Sequence, residues 1–90
     1  MKFTILHDSN GRMRIHAAKR HMTLEDADIL EYYLRSIPGV GKVSVYDRTC
    51  DAVIYYTCNR AKLINQIAKF RFDLESAKAL VPAKTGRALN

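Results

Sequence analysis

Apolar and polar residues alternate with a period of two in FTILHD (3–8), RMRIHA (12–17), KVSVYD (42–47) and AVIYYT (52–57), the spacing of strands with one buried face. In the second stretch Met13, Ile15 and Ala17 fall on one side, and Arg12, Arg14 and His16 on the other. SNG (9–11) separates the first two stretches, so either a hairpin forms there or one long strand kinks at Gly11. RTCD (48–51) turns the third stretch into the fourth, an antiparallel hairpin rich in β-branched and aromatic residues.

The period changes to that of a helix over residues 24–37. Thr23 with Asp26 is a capping-box pattern, and Glu25, Asp26 and Asp28 place negative charge where the helix dipole favours it. Ala27, Leu30, Leu34 and Ile37 form the stripe that this helix buries, and PGVG (38–41) stops it. Asn59 caps a second helix predicted over 60–69, with Ala61, Ile64, Ile67 and Ala68 as its stripe. RFDLE (71–75) is a candidate last strand. The domain is expected to span 1–76, and 77–90, with a Pro, a Gly and no clear period, reads as a tail or linker.

Counted from residue 12, the order is strand, helix, strand, strand, helix, strand. The predicted class is α+β, a ferredoxin-like βαββαβ antiparallel sheet with two helices on one face and the other face open. In that topology residues 12–17 lie centrally, flanked by the third and last strands. His21, Met22, Cys50, Phe70 and Arg71 then gather at one end, and Cys58 goes to the opposite end.

Composition narrows the picture. A chain of 90 residues, 48% hydrophobic, builds one small core. No run approaches the roughly 18 apolar residues of a membrane span, and MKFTILHDSNG lacks the apolar region of a signal peptide, so the expected location is cytoplasmic. Cys50 and Cys58 read as reduced thiols that cannot bridge, because eight residues of extended chain reach roughly 26 Å against a Cα limit near about 7 Å. The balance of 15 Lys and Arg against 9 Asp and Glu, net +6, favours anionic partners without naming one.

GRMRI (11–15), the long passage LEDADILEYYLRSIPGVGKVSVYDRT (24–49) and DAVIYY (51–56) together resemble the heavy-metal-associated domain found at the N-terminus of heavy-metal-transporting P-type ATPases and in small copper chaperones. The likeness covers residues 5–75, and the helix-to-IPGVGKVSV passage is its most specific part. Metal-carrying members of that family hold a CxxC pair just ahead of the first helix. Here the same window reads AAKRHMT (17–23), so the family's ligands carry over to no position of this chain.

What remains at that end is imidazole and thioether. His16, His21 and Met22, with the Cys50 thiol, are the donors that could take a copper or zinc ion or a haem iron. The other reading makes His16 an outward strand residue, His21 a solvated loop residue, Met22 a hydrophobic staple and Cys50 a tolerated small residue. Arg12, Arg14, Lys19, Arg20 and Arg71 give the loop end and the open sheet a basic cast suited to an acidic partner surface or lipid headgroups.

The resemblance implies an N-terminal cytoplasmic regulatory or metal/haem-binding module of a heavy-metal-type P-type ATPase. Such a module would be tethered at the inner face of the membrane and partnered by the membrane and catalytic parts of the same transporter. No nucleophile with a base beside it, paired carboxylates or phosphate-cradling loop stands in the sequence, so no catalysis is expected of the domain alone. The alternative is a free-standing binding protein. Its open sheet would take nucleic acid through Tyr46 and Tyr55 or Tyr56 beside Arg12 and Arg14, or would pair weakly with a second copy.

Overall fold

The computed structural model describes residues 1–72. Its elements are β1 (Phe3–Ser9), β2 (Arg12–Ala17), α1 (Leu24–Arg35), β3 (Val40–Tyr46), β4 (Asp51–Tyr56) and α2 (Arg60–Lys69). All strand pairings are antiparallel, in the order β1-β2-β4-β3. The α+β class is the one the sequence predicts.

The strand order is not strictly ferredoxin-like, and the reason lies at the N-terminus. Asn10 and Gly11 both take positive φ, 48° and 80°, the geometry of the two-residue hairpin turn whose twist matches its strands. Of the two options at SNG the hairpin therefore holds, and β1 lies against β2 with Ile5 opposite Ile15. β1 thus occupies the sheet position expected for a last strand. Arg71 and Phe72 lie outside the strands, while 73–75, the 76/77 boundary and the tail fall beyond the described residues.

A bulge between Ile5 and His7 shifts the register of β1. Ile5 faces the core side, Leu6 is 53% exposed, and His7 comes opposite Arg14 on the other face. The same shift turns Asp8 toward the helix side. There Tyr56 donates to it at 2.7 Å and Arg60, at the start of α2, pairs with its other oxygen.

One apolar cluster joins the sheet to both helices. Met13, Ile15, Ala17, Val43, Val45, Ala52 and Ile54 meet Ala27, Leu30 and Leu34 of α1 and Leu63 and Ile67 of α2, so both helices lie on the same face. Burial of each large aliphatic side chain there contributes about 1.5–3 kcal/mol. The α1 stripe is as predicted, with Ile37 buried just past the helix end and the Thr23–Asp26 box formed reciprocally.

The α2 stripe differs from expectation. Leu63 and Ile67 are the buried residues, Ile64 is half-buried, and Ala61 and Ala68 are exposed. Phe70, 2% exposed and packed against Tyr33 at 4.8 Å, anchors the chain after α2 and sets the helix's rotation. The Tyr33 hydroxyl also donates to the Gln66 carbonyl at 2.8 Å, tying α1 to α2.

Gly39, at φ 91°, lets the chain leave α1 past the start of α2, since a Cβ there would sit 2.4 Å from that of Cys58. The N-terminal ammonium of Met1 donates to the carbonyl of Ala68 at 2.8 Å and to that of Phe70, so the first residue meets the end of α2.

Candidate functional site

The loop between β2 and α1, the β3–β4 turn and the segment after α2 share one end of the molecule. Ala17 donates its amide to the Cys50 carbonyl at 2.8 Å, and a shallow hollow of about 350 Å³ is lined by Met1, Ala18, Lys19, Phe70, Arg71 and Phe72 among others. Lys19 lies over the Phe72 ring at 4.8 Å and pairs with Asp26 at 3.5 Å. Burial, and then the charge of Arg71, hold the Met1 amine below its ordinary value.

The four metal-ligand candidates go to different surroundings. Met22, directly before the N-cap, is 6% exposed and belongs to the core, as does Cys50 at 4%. Cys50 takes a left-handed backbone, φ 59°, where glycine or asparagine is the ordinary choice. Its thiol points toward the Asp47 carbonyl, 3.9 Å away. His21 is exposed on the loop. His16 stands on the open face, with Nδ1 2.7 Å from an oxygen of Asp51.

A copper, zinc or haem-iron site needs several such donors converging on one point. Among the described residues no group of three or more His, Cys, Asp or Glu is placed to hold a metal ion. Cys58, half-buried, packs against the core near Gly39 at the opposite end.

The open face carries a built polar arrangement. Strand alternation places Arg12, Arg14 and His16 of β2 there, opposite Tyr55, Val53 and Asp51 of β4 in turn, and Tyr46 of β3 lies on the far side of Asp51. Asp51 is the hub. One of its oxygens accepts from His16 at 2.7 Å, and the other accepts from Arg14 Nη2 at 2.9 Å and Nε at 3.3 Å.

Burial, the largest influence on the Asp51 carboxyl, pushes it up, but the hydrogen bonds from His16 and then Arg14 outweigh it and hold it below its ordinary value. Arg14 also lies over the Tyr46 ring at 5.7 Å. Arg12 lies over the Tyr55 ring at 5.9 Å and donates to its hydroxyl at 3.2 Å. Beside Tyr46 an open hollow of about 560 Å³ is walled by Arg14, Val45, Asp47, Arg48 and Thr49.

The five cations expected to give the loop end and the open sheet a basic cast are found at those two places. Arg12 and Arg14 are on the sheet, while Lys19 and Arg71 border the hollow at the loop end and Arg20 is exposed on that loop. Asp51 is the residue that sequence reasoning missed. It closes the RTCD turn, yet strand parity with Val53 and Tyr55 puts it on the arginine face.

The opposite end holds a second polar group. Hydrogen bonds from Arg60 and then Tyr56 hold Asp8 below its ordinary value, and the Asp8 bond raises Tyr56 in turn. This group ties β1 to β4 and α2.

Among known proteins, the chain is 30% identical over 92 aligned residues to the probable cation-transporting ATPase G of Mycobacterium bovis and to that of Mycobacterium tuberculosis H37Rv. The alignment takes in 98% of this chain and 11% of each relative, so the chain spans about one ninth of their length. No family model and no solved structure matches it. Among the described residues no helix is long and apolar enough to cross a membrane.

Proposed function

We propose that this chain is a heavy-metal-associated-like module of a cation-transporting ATPase. In this reading it lies at the transporter's N-terminus on the cytoplasmic side, held at the inner face of the membrane by the parts that follow. Its role is regulatory, through contact with other parts of the transporter, rather than carriage of an ion between paired thiolates. Transport itself belongs to the membrane and nucleotide-binding parts.

The observation that carries this reading is the 98% coverage of the chain by a segment of a cation-transporting ATPase. The positions of the donors support the regulatory half of it. Soft monovalent copper is held by converging thiolates, but Cys50 lies in the core at one end and Cys58 packs near Gly39 at the other. A transition-metal ion or haem reaching the loop end would meet His21 first, because Met22 and Cys50 are committed to packing and His16 to Asp51.

The test pairs a chelator competition with a deletion. With both cysteines reduced, the 90-residue chain should release copper(I) to a strong chelator at neutral pH. Deleting the segment from the full-length transporter should change the cation dependence of ATP hydrolysis while leaving hydrolysis itself in place. Stoichiometric copper(I) retention by the monomer refutes the regulatory reading. A reading frame that stops at Asn90, with no membrane spans after it, refutes the transporter reading.

A further inference from the structure

We infer that the open face of the sheet is a docking surface for an acidic polypeptide segment. This goes beyond the transporter reading and does not depend on it, because it rests on the face alone.

Both helices lie on the other side of the sheet, and Tyr46 and Tyr55 stand 47% and 41% exposed here. Arginines outnumber carboxylates on the face: Arg12, Arg14 and Arg48 against Asp51 and Asp47. Arg12, Arg14 and His16 line β2, and His7 comes beside Arg14 from β1. The carboxylate among them, Asp51, already has both oxygens engaged by Arg14 and His16. Asp51 therefore acts as an internal clamp. It fixes Arg14 in place while Arg12, at the other end of the row, is fixed on Tyr55, so both guanidinium groups are oriented before a partner arrives.

The choice of partner follows from what the face offers. A guanidinium presents N–H donors that match a carboxylate, and with Nε and Nη2 of Arg14 given to Asp51 and Nε of Arg12 to Tyr55, the remaining Nη donors are those a partner meets. Successive outward residues of β2 stand about 6.5–7 Å apart, which is also the spacing of carboxylates at alternate positions of an extended segment. The hollow beside Tyr46 has two guanidinium groups, Arg14 and Arg48, against one carboxylate, Asp47, on its walls, and gives one acidic side chain room to enter.

Other occupants suit the face less well. Single-stranded nucleic acid stacks bases on aromatic faces, but here each tyrosine ring has a guanidinium over it. Anionic membranes attract clusters of roughly four to eight Lys and Arg, whereas this face has three arginines, Arg12, Arg14 and Arg48, the first two pinned by hydrogen bonds. A second copy would present the same positive face. Residues 73–90 hold two acidic residues against three basic ones, so the chain's own tail lacks the complementary charge.

The experiment uses the full chain and a roughly ten-residue peptide with glutamate at alternate positions, enough to cross the sheet when extended. Its glutamine counterpart is the control. Amide chemical shifts and fluorescence anisotropy are followed at low and high salt. The expected result is saturable binding of the glutamate peptide alone, weakened by salt, with shifts concentrated in residues 12–16, 46 and 51–55. Arg12→Gln/Arg14→Gln should weaken binding about tenfold, and Lys62→Gln/Lys69→Gln on α2, which removes the same charge, should not.

Circular dichroism checks folding. Should the double variant unfold, Arg12→Gln alone leaves the Arg14–Asp51 pair intact and should still weaken binding about threefold. Equal loss from the α2 variant, tighter binding to oligothymidine or to phosphatidylserine vesicles, or a concentration-dependent dimer blocked by the peptide would each overturn the proposal.

Discussion

The two faces of β4 are made from alternate residues of one six-residue strand, yet they are held by different physics. Ala52 and Ile54 point into the apolar cluster under the helices and gain their stability from lost contact with water. Asp51, Val53 and Tyr55 point the other way. There Val53 is covered to 5% exposure although no helix lies on that side, and Asp51 is held by directed bonds. The apolar contacts of Ala52 and Ile54 are insensitive to salt and pH, and the charges around Asp51 respond to both. The difference teaches that an open sheet face can be ordered without being covered.

The largest expected effect attacks the covered face. Ile54→Ala, at a fully buried position, should lower unfolding free energy by about 2–5 kcal/mol, read as a lower midpoint in urea at any pH near neutral. A loss under about 1 kcal/mol would mean that the cluster repacks around the gap and the contrast between faces is overstated.

Next comes the clamp on the open face. Asp51→Asn should cost about 1–3 kcal/mol at pH 7, since bonds from charged donors to a 10% exposed carboxylate are weakened. The sign of its pH dependence is fixed by the direction of its shift. Asp51 and Asp8 are both held below 3.8, so each favours the folded state fully above that value and loses its contribution as pH falls through its folded value. The urea midpoint should therefore fall as the pH drops below the ordinary carboxylate range, and Asp51→Asn should flatten part of that fall. An unchanged acid limb in the variant would detach Asp51 from the face's stability.

The smallest effect sharpens the comparison. Tyr55→Ala, 41% exposed, should change unfolding free energy by less than about 1 kcal/mol, because its ring packs on Arg12 rather than in a core. A larger loss would show that this ring supports the sheet.

Most of the covered face was legible in the sequence. Met13, Ile15 and Ala17 against Arg12, Arg14 and His16 follow from strand parity, and Ala27, Leu30 and Leu34 from helical spacing. The α2 stripe was not, because ten residues fit more than one phase of the helical period until Phe70 fixes the rotation from outside the helix. Nor was the face of His7, since parity alone puts it beside Ile5 and a bulge leaves no sure mark in six residues.

The candidate site was legible only in part. Cys50 sits where a turn residue with positive φ was expected, but a turn that buries its thiol in the core cannot be told from one that exposes it without the packing partners. Asp51 is both the end of a turn and the start of a strand, and only the second role places it between His16 and Arg14.

The meeting of Met1 with the carbonyls at the end of α2 makes the described chain nearly a closed ring, and a ring can be opened elsewhere. Joining the end of α2 to β1 through a short linker and cutting at the Asn10–Gly11 turn gives the order β2, α1, β3, β4, α2, β1. With the sheet left as it stands, that order is strand, helix, strand, strand, helix, strand, with the first strand between the third and the last. The N-terminal hairpin is thus a circular permutation of the ferredoxin-like arrangement. The same three-dimensional sheet is reached by a strand that now pairs locally across a two-residue turn, rather than by one that must return after a helix.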